Sequence, residues 1–341
     1  MKAAVLERAQ TPLVIKDVPM PEMGPDDALV RVHACGVCHT DLHVADGLFK
    51  VAGREPFPLI PGHEIAGEVQ AVGSRVTNVR PGDRVGVYWW LSCGGCRYCL
   101  AGEEEACLPR LADMRATGLT LDGGYAEFVS VPADRLVPLP DGIEFAEAGP
   151  FCCAGLTAYA ALKNAGLRPS HRVAVLGIGG LGHLGVQIAR AMGAEVIAIT
   201  GTEAKQELAR QLGAHQVLAA GGRDVGKSLL EAGGADVILS TTMDFQLIRD
   251  SLTGLLPQGT LVLAALTAAR LPIDPRSFIV GQQRVVGSYL GSRVDLQELL
   301  HLAVRHHIRP LVETFPLDDA NLVLQRLRSH EILFRAVLQP C

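Results

Sequence analysis

Residues 172–182 read R-V-A-V-L-G-I-G-G-L-G, and this stretch decides the fold of the second half of the chain. It begins with an apolar run typical of a buried strand and leads into residues 181–192, whose apolar positions repeat with helical periodicity. The glycine loop between them matches the dinucleotide-binding pattern G-x-G-x-x-G. The residues expected at the phosphates are Gly177, Gly179, Gly180, Leu181 and Gly182. The pyrophosphate would lie at the N-terminus of the helix.

The segments on either side continue an alternation of strands and helices. Short apolar runs predict strands at 196–200, 216–220, 236–240 and 260–266. Helices are predicted at 156–163, 205–212, 295–306 and 318–329, and a last strand at 335–338. Buried parallel strands with crossover helices predict a doubly wound parallel sheet.

Residues 1–150 have a different pattern, in which short apolar runs alternate with glycine and proline. The runs lie at 28–34, 65–72, 83–88 and 125–131. Short strands separated by turn signals predict a β-rich, barrel-like domain. The 341 residues are too many for one ordinary core, so we expect an α/β protein with two domains.

The composition excludes several classes of protein. Hydrophobic residues make up 48% and charged residues 20%, as in a globular chain, and the net charge of −5 argues against a general nucleic-acid surface. No apolar run is long enough to span a membrane, and residues 1–12 lack the apolar core of a signal peptide. We therefore expect a cytoplasmic protein, whose nine cysteines need another explanation than disulfides.

Four of these cysteines form a cluster with the spacing C-x2-C-x2-C-x7-C. They are Cys93, Cys96, Cys99 and Cys107. Four thiolates in one loop can surround Zn²⁺ tetrahedrally, and closed sites of this type are structural. An iron–sulfur cluster is the alternative on ligand count alone.

Three further segments offer ligands for a second, open metal site. They are Cys38 to His43, His63-Glu64 and Cys152-Cys153. A lone histidine or cysteine is more often packed in a core, but together these segments fit a catalytic zinc with two cysteines, one histidine and one open position. Such an ion can polarise a carbonyl. Asp41 is a candidate to orient His63, and Glu64 could enter the coordination sphere transiently.

The end of the second predicted strand bears on cofactor choice. A carboxylate that would bind both ribose hydroxyls of NAD is absent at Thr200. The small residues Gly201 and Thr202 leave room for a 2′-phosphate, and Lys205 supplies a positive charge for it. The negative charge of Glu203 disfavours a 2′-phosphate. The stretch favours NADP(H) weakly over NAD(H).

These motifs together resemble the zinc-containing alcohol dehydrogenases of the medium-chain dehydrogenase/reductase superfamily, over essentially the whole chain. The matching motifs are G-V-C-H-T-D at 36–41, P-G-H-E at 61–64, C-G-G-C-R-Y-C at 93–99 with Cys107, C-A-G-L-T-A-Y at 153–159, G-I-G-G-L-G at 177–182 and G-S-x-x-G-S-R-x-D-L at 287–296. The resemblance implies a GroES-like catalytic domain built from both chain ends and an inserted Rossmann domain. The implied segments are 1–152, 153–287 and 288–341.

The resemblance also implies roles for individual residues. Cys38, His63 and Cys153 match the catalytic zinc ligands, Cys153 rather than Cys152 because it immediately precedes Ala-Gly. Thr40 matches the hydroxyl that bonds the substrate oxygen, and His43 matches the end of the proton relay.

Three more residues match positions at the cofactor. His39 matches a basic residue at the pyrophosphate, and Thr157 matches the residue behind the nicotinamide ring. Arg335 matches an arginine near the pyrophosphate and Glu64.

The family pattern predicts a zinc-dependent enzyme that interconverts primary alcohols and aldehydes, with two zinc ions per chain and a homotetramer or homodimer. The alternatives are a cinnamyl-alcohol-type NADPH aldehyde reductase, a polyol or formaldehyde dehydrogenase, and a non-catalytic dinucleotide-binding protein. The chain departs from many relatives in the loop 46–58, with Phe49, and before Cys93, where it is about one residue shorter. Because of both departures, the sequence does not identify the substrate.

Overall fold

The computed structural model describes residues 1–49, 56–221, 224–265 and 270–340. The chain divides into two compact units. The first unit comprises Met1–Cys153, Ser292–Val304 and Arg309–Cys341, and the second comprises Ala154–Gly291 and Arg305–Ile308. These segments differ by a few residues from the domains implied by the resemblance, because Cys153 lies in the first unit and residues 288–291 and 305–308 lie in the second.

The described strands are β1 (Lys2–Val5), β2 (Val14–Asp17), β3 (Asp27–Val37), β4 (Glu64–Val72), β5 (Arg84–Val87), β6 (Phe128–Pro132), β7 (Leu136–Pro138), β8 (Arg172–Leu176), β9 (Glu195–Thr200), β10 (Gln216–Ala219), β11 (Ala235–Ser240), β12 (Leu255–Leu263), β13 (Arg284–Gly287), β14 (Val312–Pro316) and β15 (Arg335–Gln339). The described helices are α1 (His39–Ala45), α2 (Arg97–Leu100), α3 (Leu108–Ala112), α4 (Phe145–Pro150), α5 (Leu156–Asn164), α6 (Gly182–Ala191), α7 (Glu203–Gln211), α8 (Val225–Glu231), α9 (Phe245–Ser251), α10 (Pro275–Gly281), α11 (Arg293–His306) and α12 (Ala320–Arg328).

The first unit is built around a sheet with the strand order β14-β15-β3-β4-β5-β7, to which β6 adds on β3. Strand β3 pairs antiparallel with both β4 and β15, with Gly36 opposite Glu64 and Val37 opposite Ala336. The carboxyl end of β3 therefore lies beside the amino ends of β4 and β15. This register brings together three chain segments that are far apart in sequence.

The second unit is a parallel sheet with the order β10-β9-β8-β11-β12-β13. Residues 173–176 of β8 are fully buried, as expected for a strand covered on both faces. The chain runs from β8 outward to β10, and then from β11 outward to β13, so the strand order reverses between β8 and β11. Ligands of doubly wound sheets bind at this reversal, where the glycine loop follows β8. The predicted fold class is confirmed.

Several boundaries differ from the sequence predictions. The run 125–131 forms a strand only from Phe128, because Tyr125 and Ala126 make isolated contacts with the N-terminal strand instead. Helix α7 begins two residues earlier than predicted because Thr202 caps its N-terminus, and α12 begins later, after a 3-10 turn. Residues 255–259 extend the strand predicted at 260–266, of which residue 266 lies outside the described residues.

No helix in the described part of the chain is long and apolar enough to cross a membrane.

Candidate active site

Four side chains from separate segments of the first unit converge in one buried cluster. They are Cys38, His63, Glu64 and Cys153, and their potential ligand atoms all lie within 4.8 Å of one another. The strand register explains this: Cys38 directly follows β3, and His63 directly precedes β4, its antiparallel neighbour. The structure thus joins two motifs that are 25 positions apart.

Cys153 reaches the cluster from an irregular helical turn. Helix α4 ends at Pro150, which has no N–H to continue the helix, and residues Phe151–Gly155 form one π-helical turn. The neighbouring Cys152 is directed elsewhere, with its Sγ 3.5 Å from the carbonyl oxygen of Ala148. The structure therefore brings Cys153, and not Cys152, to Cys38 and His63.

The orientation of His63 favours a metal ligand. Its Nδ1 lies 3.2 Å from Oδ1 of Asp41, a carboxylate that accepts the Nδ1 proton. The other ring nitrogen, Nε2, is buried and has no hydrogen-bond partner among the described residues. A buried polar atom without a partner is costly, and here it points to a ligand that completes the site.

The electrostatics of the cluster also fit a cation. The hydrogen bond from the Cys153 thiol, together with His63, lowers the pKa of Cys38 well below its usual range. The same pairing and burial raise the pKa of Cys153, so only one of the two thiols ionises readily without a cation. Burial alone would lower the pKa of His63, but the charge of Asp41 raises it. Two cysteines and one histidine are a donor set that suits Zn²⁺.

The fourth member, Glu64, is bound to an arginine from the C-terminal segment. Both side chains are buried, and the Arg335 guanidinium donates to the Glu64 carboxylate. Burial outweighs the arginine and raises the pKa of Glu64 to about 7. Gly36 makes room for this carboxylate, because a Cβ at that position would lie 1.9 Å from Oε2. Strand β15 begins at Arg335, so the sheet register also places this residue at the cluster.

Helix α1 carries Thr40 and His43, which were predicted to move the proton, and His39, which was predicted to lie at the pyrophosphate. Its first turn is tied down by Asp41, whose carboxylate accepts a hydrogen bond of 2.8 Å from the Cys38 N–H. The hydroxyl of Thr40 lies 3.6 Å from the Cys38 sulfur, and His43 is half-buried one turn further on. His39 is exposed at the start of the helix. The structure thus places Thr40 at the cluster.

The second cysteine cluster forms a compact loop around α2. The sulfur atoms of Cys93, Cys96, Cys99 and Cys107 all lie within 4.8 Å of one another, and that of Cys96 is 3.5 Å from that of Cys99. The backbone N–H of Cys93 donates to the Cys107 sulfur at 3.2 Å. The loop turns at Gly94, with a φ of +74°, which glycine adopts at little cost. Four converging thiols fit a closed zinc site.

In the second unit, the glycine loop has the geometry expected for a phosphate site. Gly177 has a φ of +84°, and a Cβ at Gly182 would lie 1.9 Å from the carbonyl oxygen of Gly177. A Cβ at Gly179 would meet nothing within 4 Å, so the space beside it is open to a ligand. Helix α6 begins at Gly182, after Gly180 and Leu181, and its N-terminus adjoins the loop.

The residues predicted to select the cofactor lie at the carboxyl end of β9. Thr200 is the last, buried residue of that strand, and Gly201 is exposed. The hydroxyl of Thr202 accepts a hydrogen bond of 3.4 Å from the Lys205 N–H and so caps α7. Thr157, also in this unit, is buried in the first turn of α5.

One buried side chain at the site was missed by the sequence analysis. The Tyr125 hydroxyl donates to Oδ2 of Asp41 at 3.1 Å. Its sequence signal is its place at the start of the apolar run 125–131, which predicts a strand but no contact with Asp41. The ring of Trp89 lies edge-on to the ring of His63, with the centroids 5.2 Å apart.

Comparisons with known proteins agree with both units. A family model described as "Alcohol dehydrogenase GroES-like domain" matches residues 24–141, and one described as "Zinc-binding dehydrogenase" matches residues 180–305. An alcohol dehydrogenase of Geobacillus stearothermophilus is 41% identical over 341 residues, covering 99% of each chain. An aldehyde reductase of Synechocystis sp. is 36% identical, covering 93% of this chain and 92% of the relative. The crystal structure of the alcohol dehydrogenase of Aeropyrum pernix matches with a TM-score of 0.89 and 35% identity over 100% of both chains.

The fold and the two cysteine clusters therefore define a zinc-type medium-chain dehydrogenase. Within that superfamily, the chain belongs to the zinc-containing alcohol dehydrogenases, and it is an oxidoreductase of alcohols and aldehydes. The predicted family and reaction class are confirmed.

Proposed function

We propose that the enzyme interconverts primary alcohols and aldehydes at a zinc ion held by Cys38, His63 and Cys153. The observation that carries this proposal is the buried His63, which forms a cluster within 4.8 Å with two thiols and whose Nε2 has no hydrogen-bond partner in the described part of the chain. Glu64 would be a transient fourth ligand, with Arg335 as its alternative partner. A zinc ion bound there would supply a Lewis acid for the substrate oxygen.

The residues of the first unit would handle the proton. Thr40, at the metal cluster, would accept the hydroxyl proton of the alcohol, and His43, one turn along α1, would be the end of the relay to solvent. Asp41 would keep His63 oriented throughout.

The residues of the second unit would hold the nicotinamide cofactor, which would supply a hydride acceptor or donor when bound. The glycine loop at Gly177 to Gly182 would bind the pyrophosphate. Thr157 would lie behind the nicotinamide ring. We further propose a structural zinc ion in the loop of Cys93, Cys96, Cys99 and Cys107, and a homo-oligomer, tetramer or dimer, which light scattering would measure.

The cofactor is proposed to be NADP(H) rather than NAD(H). The absence of a carboxylate at Thr200, the exposed Gly201 and the ammonium of Lys205 near the capped end of α7 support this choice. Lys205→Ala should raise KM for NADPH about tenfold and leave KM for NADH unchanged, because it removes a charge partner of the 2′-phosphate only. Glu203→Ala, which removes the opposite charge two residues away, is the control and should not raise KM for NADPH.

Initial rates with aliphatic, aromatic and polyol-derived carbonyl substrates, run in parallel with NADPH and NADH on zinc-loaded protein, test the proposal. Turnover that prefers NADPH is expected. A preference for aromatic aldehydes would favour the cinnamyl-alcohol-type reductase, and a strict glutathione requirement would favour the formaldehyde dehydrogenase. A preference for NADH would overturn the cofactor proposal alone, and no turnover with either cofactor would overturn the catalytic proposal.

A further inference from the structure

Tyr125 is fully buried and touches the candidate metal site at two points. Its hydroxyl donates to the Asp41 carboxylate at 3.1 Å. Its ring lies against the backbone just before His63, since a Cβ at Gly62 would be 2.3 Å from the ring carbon Cδ1. Tyr125 therefore contacts both the carboxylate that holds the imidazole and the peptide that carries it.

The hydrogen bonds of Asp41 show what the hydroxyl does. Oδ2 accepts from the Cys38 N–H at 2.8 Å and from the Tyr125 hydroxyl at 3.1 Å, whereas Oδ1 faces Nδ1 of His63 at 3.2 Å. Two donors on one oxygen fix the plane of the carboxylate, and the other oxygen is then directed at the imidazole. Without the hydroxyl, a single backbone N–H would hold Oδ2.

Backbone contacts keep Tyr125 in register with the segment that carries His63. The Tyr125 N–H donates to the carbonyl of Pro61 at 3.0 Å, and the Gly124 N–H donates to that of Gly62 at 2.8 Å. Gly62 has a φ of +96°, so a side chain there would be strained as well as blocked by the ring. The hydroxyl of Tyr125 thus has a defined position relative to His63.

We propose that Tyr125 is a positioning residue of the catalytic metal site. Its hydroxyl orients Asp41, and Asp41 orients His63 so that Nε2 faces the metal. The inference rests on the proposed zinc ligation by Cys38, His63 and Cys153. Partners one step behind a metal-bound histidine typically change metal affinity 10–100-fold, so we expect a smaller effect from a partner two steps behind.

Zinc release into a chromogenic chelator tests the proposal without relying on activity. Tyr125→Phe keeps the ring and removes only the hydroxyl, and it should release one zinc per chain about 3- to 10-fold faster than the parent protein. Release from the four-cysteine loop should not change, which gives an internal control. Tyr88→Phe removes another buried tyrosine hydroxyl of the same unit. It should not change the release rate of the zinc that Tyr125→Phe releases faster.

A double-mutant comparison separates positioning from general loosening. Tyr125→Phe should accelerate release much less in an Asp41→Asn background, because the hydroxyl acts through the carboxylate. Cobalt at the catalytic site should show a shifted d–d absorption band in Tyr125→Phe and an unchanged band in Tyr88→Phe. Release and spectra equal to those of the parent, or equal acceleration with and without Asp41, would overturn the inference. A parent protein that holds metal only in the four-cysteine loop would overturn the proposed function and the inference together.

Discussion

Two adjacent cysteines show how much one residue's position matters. Cys152 and Cys153 are both buried, yet the π-helical turn directs only Cys153 to the cluster. Burial raises the pKa of Cys152 to about 12, so this thiol stays protonated and inert. The sequence motif around the pair resembles that of the family, but the direction of each side chain depends on the irregular turn.

Serine substitutions at these two positions should have opposite outcomes. Cys153→Ser should lose one zinc per chain and nearly all activity, because a neutral hydroxyl is a poor zinc ligand. Cys152→Ser is the matched control, because its hydroxyl can donate to the same carbonyl of Ala148, and it should keep both. Zinc content and initial rates measure the difference. Loss of catalytic zinc in Cys152→Ser alone would contradict the proposed ligand set.

At the scale of an element, the cysteine loop is held by a buried ionic cluster. Glu104, between the third and fourth cysteines, accepts hydrogen bonds of 2.8 and 2.9 Å from Nε of Arg293 and lies 3.5 Å from Nη1 of Arg135. Arg135 also donates to Ser92, beside the first cysteine, at 2.8 Å. The loop is therefore tied to a residue 189 positions away, a contact with no local sequence signal.

Glu104→Gln should destabilise the protein by about 2 kcal/mol, because it weakens the charge-assisted hydrogen bonds that the Glu104 carboxylate accepts from Arg293. Glu103→Gln changes the same functional group at an exposed neighbouring position and should have an effect below about 0.5 kcal/mol. Urea unfolding of the zinc-loaded proteins measures both free energies. Equal stability of the two variants would show that the ionic cluster does not hold the loop.

The apparent affinity of the cysteine loop for zinc should also depend on pH, in two steps. Hydrogen bonds from the backbone, first from Cys99, lower the pKa of Cys96 to about 6, whereas burial and the neighbouring Cys96 raise that of Cys99 to about 11. Zinc must displace the Cys99 proton at any pH below 11, and the Cys96 proton as well below pH 6. The apparent zinc affinity should therefore fall as the pH falls, and more steeply below pH 6.

Competition with a chelator between pH 5 and 8 checks this expectation in Cys153→Ser, which should hold zinc only in the cysteine loop. For each additional proton that zinc displaces, the apparent zinc affinity should change by about a further tenfold per pH unit. A slope that stays constant through pH 6 would contradict the two-step titration.

At the scale of the whole molecule, the chemistry is divided between two compact units. The ligands for both metal sites lie in the first unit, and the glycine loop lies entirely in the second. The first unit is assembled from both ends of the chain, because β15 pairs with β3 across about 300 positions. The glycine loop and the candidate metal ligands are thus built on separate cores.

Cofactor binding should therefore survive loss of the catalytic metal. Cys153→Ser is expected to bind NADPH with a Kd within about twofold of the parent, since changes at independent sites do not couple strongly. Isothermal titration calorimetry measures this, with Gly179→Ala as a positive control for weakened binding, because its Cβ would enter the space proposed for the pyrophosphate. A large loss of NADPH affinity in Cys153→Ser would show that the two sites are coupled.

The sequence by itself determined the class of fold, the glycine loop and two groups of candidate metal ligands. Glycines at Gly177 and Gly182 have roles that depend on local backbone geometry, and the four-cysteine spacing joins thiols within one loop. Such features are local, so the pattern of residue types is enough to identify them. The match of ligands around Cys38, His63 and Cys153 came from resemblance to a family.

Only the tertiary structure decided which side chains support those ligands. Tyr125 meets Asp41 across 84 positions, and Arg293 meets Glu104 across 189. Neither contact has a periodicity or a spacing that a sequence could display, because each one joins segments that are far apart in the chain. The loop 46–58 is one of the two regions that leave the substrate undetermined. Its residues 50–55 lie outside the described part of the chain. Local chemistry can be derived from residue types, whereas long-range partners depend on how the sheet pairs distant segments.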